Sequence, residues 1–267
     1  MAKLLVMTNP HLVAPGGTII GLDPLQRFQD GLEHAAQMHP DAERLIVMGD
    51  LTNDGDPEAY EALRDALESV PWAVTLMMGN HDDRGVFRTA FPSHPTDSKG
   101  FIQSFFDIED MRLITLDSLD EASDILHAGR LCEERLGWLR AALETDRRCL
   151  VFVHHPPFDT GFKGMDGISL QDRDAFFQTL ANGNVAYIFA GHVHRTISAT
   201  VRGYSITIFK STCHQMPMLL GQEGFGHSVD EPGAYGIVLA DDADVVVHFE
   251  DFTLPDQANA QFDAQSS

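Results

Sequence analysis

Apolar positions along the chain fall into short continuous runs separated by amphipathic stretches. Residues 4–7, 72–78 and 149–153, with Arg44–Met48 and Val185–Ala190, are runs bounded by polar turn residues. A strand buried on both faces reads this way, because neither side of its pleat meets water. Between the runs lie helix signals. Asp23-Pro24 supplies an N-cap followed by a proline at the first helical position, and predicts a helix to about Met38; Asp56-Pro57 repeats the signal for a helix to about Ser69. Residues 133–143 and 172–180 carry helical periodicity. Residues 101–108 alternate as a half-exposed strand does, and Met111–Leu116 pairs with them as a hairpin. From there the pattern turns to strands at 196–201, 204–209, 235–239 and 244–250. Strands alternating with helices predict a parallel-rich sheet, and the last third predicts a second, more antiparallel one. The expected architecture is α/β, a two-sheet αββα sandwich forming a single domain over 1–267, with the carboxyl ends of the strands gathered at one edge.

Charge narrows the choice of partner. Eighteen Lys+Arg against 40 Asp+Glu leave a formal charge of −22 over 267 residues. Such a surface repels a phosphate backbone, so nucleic-acid polymers and anionic membranes are excluded as partners, while a small phosphate ester remains admissible if cations sit inside the site. The opening "LLVM" is too short for a signal peptide or a membrane span, which points to a cytoplasmic protein. Cys132, Cys149 and Cys213 follow no ligand or disulfide spacing and read as core thiols. Thirteen histidines against so few cationic side chains suggest that bound metal supplies the missing positive charge.

The polar residues that could hold it stand at strand ends. The first strand runs into Asn9 and His11; the second ends in "GDLTND" with Asp50; the third ends in "GNHDD" with Asn80, His81, Asp82 and Asp83. The strand at 149–153 ends in "HHPP" with His154 and His155, and Val185–Ala190 ends in "GHVH" with His192 and His194. Ligands of open α/β sheets bind beyond the carboxyl ends of the strands, where five strands here deliver imidazole, carboxylate or carboxamide. Nitrogen and hard oxygen without thiolate suit borderline divalent cations. Asp82 and Asp83 also read as caps of a helix starting near Arg84. His34, His39, His94, His127, His227 and His248 lack this context and read as surface or core residues.

The ordered set resembles the calcineurin-like metallophosphoesterases, whose pattern is D-x-H, GD, GNHD, a histidine motif and GHxH. The flanks are most similar to class III cyclic-nucleotide phosphodiesterases and bacterial glycerophosphodiesterases, over about residues 3–217. The resemblance implies two divalent metal ions, Mn, Fe, Zn or Co. One would be held by Asn9, His11, Asp50 and His194, the other by Asp50, Asn80, His154 and His192, with Asp50 bridging. It implies in-line attack of a metal-bridging hydroxide on a small phosphodiester, with Asp50 and His81 catalytic and Asn80, His81 and His214 touching substrate. Asp117 and His155 would orient ligands from behind. The first position departs from the pattern, since Asn9 stands where the family has aspartate. Two alternatives stay open: a phosphomonoesterase using Arg84 or Arg195 against a dianionic phosphate, and a binding protein whose metal site is impaired by Asn9. The stretch 214–233 reads as a loop packed on the core, or as a lid or dimer contact of a homo-oligomer.

Overall fold

The computed structural model describes residues 1–224 and 226–254. The expectation of one domain over 1–267 extends past them at residues 225 and 255–267, which lie outside the described residues.

Two sheets form the centre. The first has the order β11-β10-β1-β2-β3, built from β1 (Ala2–Met7), β2 (Arg44–Met48), β3 (Ala73–Met77), β10 (Tyr235–Ala240) and β11 (Val245–Glu250). The second has the order β4-β5-β6-β7-β9-β8, built from β4 (Ser104–Ile108), β5 (Met111–Leu116), β6 (Arg148–Val153), β7 (Val185–Ala190), β8 (Ile197–Val201) and β9 (Tyr204–Ile208). β1, β2 and β3 run parallel, as do β5, β6, β7 and β9. The expected αββα sandwich is therefore present. The expectation that the last third makes its own antiparallel sheet is corrected: β8 and β9 extend the second sheet and β10 and β11 the first. Local periodicity marks a strand but does not name its neighbour, and β10 finds β1, more than 200 residues away in sequence.

The continuous apolar runs now have a physical reason. Leu4, Val6, Ile46 and Met48 face Leu150, Phe152 and Phe189 between the sheets. The intervening Leu5, Met7, Leu45 and Val47 pack under α1 (Pro24–Met38) and α2 (Pro57–Leu67). On the far side Val151, Val153 and Ile188 pack under α4 (Glu133–Ala142) and α6 (Arg173–Leu180). Each buried side chain of this size contributes about 1.5–3 kcal/mol, so a charge at either parity of a central strand would be costly.

The caps at Asp23, Asp56 and Asp83 behave as read, whereas Asp82 caps no helix and accepts instead from the N–H groups of Leu51, Thr52 and Gly79. Asp23 accepts from the backbone N–H of Gln26 at 3.1 Å and Asp56 from Glu58 at 2.8 Å. Asp83 caps α3 (Arg84–Ala90) through Val86 at 2.8 Å. The short helix α5 (Lys163–Gly167) has no counterpart in the sequence reading. Among the described residues no helix is long and apolar enough to cross a membrane.

Candidate active site

The sandwich brings the carboxyl ends of β1, β2, β3, β6 and β7 together, and the side chains of Asn9, His11, Asp50, Asn80, His81, His154, His192 and His194 gather there. β9 adds a sixth strand end through His214. All are buried except Asn80 and His81, which are partly exposed at the mouth.

The backbone turns sharply to deliver them. Asn9, His11, Asp50, His192 and His194 have φ between 48° and 69°, in the left-handed region that non-glycine residues occupy at about 1–3 kcal/mol of strain each. Cross-strand bonds hold the strained turns: the N–H of Asn9 donates to Gly49 C=O at 3.1 Å, and that of His11 to Asp50 C=O at 2.9 Å. The glycines of the motifs serve close approach. A Cβ on Gly79 would stand 2.2 Å from Asp50 Oδ1, on Gly191 2.4 Å from Thr8 Oγ1, and on Gly49 2.4 Å from His154 Nδ1. Of these three only Gly49 also has positive φ, +79°.

Asp50 lies at the centre. Its Oδ2 is 3.5 Å from His11 Nε2 on one side and 3.3 Å from His154 Nε2 on the other. Around His11, His194 Nε2 lies 3.0 Å away. Around His154, Asn80 Oδ1 lies 3.3 Å away, and 2.8 Å from His192 Nδ1. Atoms bound to one ion at about 2.0–2.1 Å are held roughly 3.0–3.4 Å from one another, so these spacings suit two ion positions sharing Asp50. The tautomers suit them too. His154 Nδ1 lies 3.0 Å from Met48 C=O and His194 Nδ1 2.8 Å from His214 C=O. As donors there, both rings keep Nε2 as a lone pair directed into the cluster. His192 Nε2, His11 Nδ1 and Asn9 Nδ2 are buried without a hydrogen-bond partner.

Electrostatics favour the ligand forms. Burial, and then neighbouring imidazoles, holds His11 and His192 well below the ordinary histidine range against the pull of Asp50. Burial takes His194 down to about 3 and His214 to about 4. For Asp50 burial opposes ionisation, but His154 and His81 outweigh it and the carboxyl is held well below its usual range. His154 moves up, since the charge and hydrogen bond of Asp50 exceed the cost of burial. His11, His192, His194 and His214 are therefore held as neutral imidazoles around one carboxylate, with His154 drawn toward its charged form by Asp50. Asp82 stands behind it, accepting from the N–H groups of Leu51, Thr52 and Gly79 and from the Tyr60 hydroxyl. Burial and Asp50 push its carboxyl up to about 6. It serves to fix the second and third loops against each other.

His81 lies within ligand distance of His11 and Asp50, its ring 4.7 Å from that of His11, but its own bonds turn it toward the pocket. Its N–H holds Asp50 Oδ1 at 3.0 Å and its Nδ1 lies 2.8 Å from Asn53 C=O, which leaves Nε2 for the pocket. The pocket, about 330 Å³, is lined by His81, Asn53 and His127 and by Ile19, Met165 and Met216, among others. His214 also lines it, with its ring 4.6 Å from that of His194. No Lys or Arg lines it among the described residues.

The expectations for Asp117 and His127 are corrected, and that for His155 takes a different form. Among the described residues Asp117 makes no hydrogen bond to a histidine; it holds the buried Arg84 through two bonds of 2.8 and 3.0 Å. His155 packs edge-on to the His154 ring and obliquely to that of His192, but its ring nitrogens face Ser118 Oγ at 2.8 Å and His127 C=O at 3.2 Å. His127, read as a surface or core residue, is a pocket residue: its ring stacks on His81 at 4.8 Å and its Nδ1 lies 3.0 Å from Asn80 Nδ2. It belongs to the loop between β5 and α4, where no strand end announces a ligand. Met165 comes from the unforeseen α5.

Comparison with known proteins bears on the family and the fold. The chain is 40% identical over 250 residues to a probable cyclic nucleotide phosphodiesterase of Rhodopseudomonas palustris, covering 92% of this chain and 91% of that one. It is 32% identical over 186 residues to the glycerophosphodiester phosphodiesterase GpdQ of Enterobacter lignolyticus, covering 67% of this chain and 64% of that one. Among solved structures, a dimetal phosphatase from Danio rerio superposes with a TM-score of 0.72 at 14% identity, covering 94% and 96% of the two chains, a likeness of fold. The family model for calcineurin-like phosphoesterases matches residues 3–196, a span that takes in every strand-end motif from Asn9 to His194, and the chain belongs to that family.

Proposed function

We propose that the protein is a two-metal phosphodiesterase acting on small diesters, cyclic nucleotides or glycerophosphodiesters. The observation that carries this reading is the absence of any Lys or Arg among the described residues lining the pocket. The two arginines nearest the motifs are already engaged. Arg84 is tied to Asp117 and Glu121, and Arg195 forms a two-pronged pair with Glu231 at 2.6 and 2.8 Å. A diester carries one negative charge, which two divalent cations offset; the second charge of a terminal monoester would face no cationic side chain. The relatives, named for cyclic-nucleotide and glycerophosphodiester hydrolysis, support the same substrate class.

In this reading Asn9, His11, Asp50 and His194 hold one ion, and Asp50, Asn80, His154 and His192 the other. Bound ions supply Lewis acidity and an acidified water. The chain supplies the rest. Asp50, held ionised, sets the spacing of the two positions. The His81 ring is fixed by Asn53 C=O, so that in its protonated form Nε2–H is the donor available to the leaving oxygen. Ile19, Met165 and Met216 offer an apolar wall to the alcohol part of the ester.

The test uses metal-stripped protein reloaded separately with Mn, Fe, Zn and Co. An aryl diester, an aryl monoester, a 3′,5′-cyclic nucleotide and a glycerophosphodiester are compared. Activity should return with metal and favour diesters. Full diester turnover in exhaustively chelated protein, or faster turnover of the monoester than of every diester, refutes the proposal.

A further inference from the structure

We propose that His127 is a positioning residue that sets the orientation of the Asn80 carboxamide toward the metal site. The inference rests on the reading of Asn80 as a ligand. An asparagine amide has two nearly isosteric ends, and only the oxygen can bind a cation. Turned by 180°, Asn80 would aim an NH₂ group at His154 and His192 and abolish one coordination position. What decides between the two orientations is the partner on the far side.

That partner is His127 Nδ1, 3.0 Å from Asn80 Nδ2. As an acceptor it takes an amide N–H and leaves Oδ1 directed at His192 Nδ1 and His154 Nε2, at 2.8 and 3.3 Å. In the reversed amide Oδ1 would face the same ring nitrogen across 3.0 Å, and the bond would be kept only by moving the imidazole proton from Nε2 to Nδ1. His127 is itself held in place. His155 Nε2 donates to its C=O at 3.2 Å, with Ser118 Oγ at 2.8 Å on the other ring nitrogen of His155. A Cβ on Gly129 would stand 2.2 Å from the His155 ring, so the loop lies flat on His155. The His127 ring stacks on His81 with an interplanar angle of 18°. A chain of contacts thus runs from Ser118 through His155 and His127 to Asn80. It gives the second histidine of "HHPP" its task, to hold the loop that holds the amide.

His127→Phe keeps a flat ring against His81 and removes the acceptor. The experiment is titration of metal-stripped protein with Mn²⁺ alone, read by calorimetry and by the electron paramagnetic resonance of free Mn²⁺, in four proteins: wild type, His127→Phe, Asn80→Asp and the double variant. Partners of this kind are worth about 10–100-fold in metal affinity. His127→Phe should therefore weaken one of the two Mn²⁺ sites by about tenfold or more in the Asn80 background. In the Asn80→Asp background it should change little, because a carboxylate presents an oxygen whichever way it turns. Unchanged Mn²⁺ affinity in His127→Phe overturns the proposal. An equal loss in both backgrounds overturns it as well, since it would assign His127 a role in loop packing alone. Asn80→Ala separates this failure from failure of the ligand reading: if that variant binds two Mn²⁺ as tightly as wild type, Asn80 is no ligand and both readings fall.

Discussion

Replacing Asn9 by aspartate tests the one place where the chain departs from its family's ligand pattern. Asn9 is fully buried; its Oδ1 accepts from the backbone N–H of His192 at 3.3 Å, and its Nδ2 has no partner. On the proposed ligand reading its single oxygen serves both His192 and a cation, while a buried donor is left over at a cost of about 1–3 kcal/mol. A carboxylate has two oxygens, one for His192 N–H and one for the ion, and no orphaned donor. The added ligand charge and the oxygen freed for the ion act only when metal is bound; at about 1–3 kcal/mol, or roughly 5–150-fold in affinity, Asn9→Asp should tighten one of two sites by that factor and leave the other nearly unchanged. Without metal the sign reverses, because a second buried carboxylate then stands near the ionised Asp50. That repulsion raises the pKa of the introduced carboxyl, so its destabilisation is present at pH 8 and fades as the pH falls and the group takes up a proton. Metal-free Asn9→Asp should melt below wild type at pH 8 and above it once metal is added. Competition titration against a chelator of known affinity, with melting curves at both conditions, measures both effects. Two equally tight sites in the wild type, unmoved by Asn9→Asp, would sink the reasoning.

His81→Ala should cut turnover of an alkyl diester about 10²–10⁴-fold with metal content intact, and cut it less for an aryl diester whose leaving group needs no proton; stoichiometric loss of metal would show that His81 is a ligand. Gly79→Ala puts a Cβ 2.2 Å from the Asp50 backbone N and Oδ1, so it should lower stability by about 1–3 kcal/mol and weaken metal retention together; a variant with wild-type melting and metal content would contradict the packing described. Acid should destabilise the metal-free protein early. His11, His155 and His192 are depressed, as are His194 at about 3 and His214 at about 4, against His154 alone raised within the cluster. The unfolded chain takes up protons near pH 6.5 that the folded one refuses, and each uncompensated proton costs about 1.4 kcal/mol per pH unit. The melting temperature should fall continuously from pH 6.5 to about 4, and a flat profile between 6.5 and 4.5 would refute the buried neutral cluster.

The sequence by itself determined the strands that matter and the residues at their ends. A strand buried on both faces is a local apolar run, and the first polar residue after it is necessarily at the sheet's edge, so Asp50, Asn80, His154 and His192 were legible one motif at a time. The resemblance then ordered them. What the sequence could not carry is whatever depends on which distant group a side chain meets. Arg84 and Arg195 stood beside the motifs as candidate phosphate binders, yet Asp117, Glu121 and Glu231 engage them. Asp117 looked like a ligand orienter and proved to be one of those counterions. His127 had no strand before it and reached the site only because its loop packs on His155. The last four strands were visible as strands, but their partners were set by pairing across the whole chain. Local pattern fixes what a segment is; charge pairing, amide orientation and strand order are long-range contacts, and only the tertiary structure decides them.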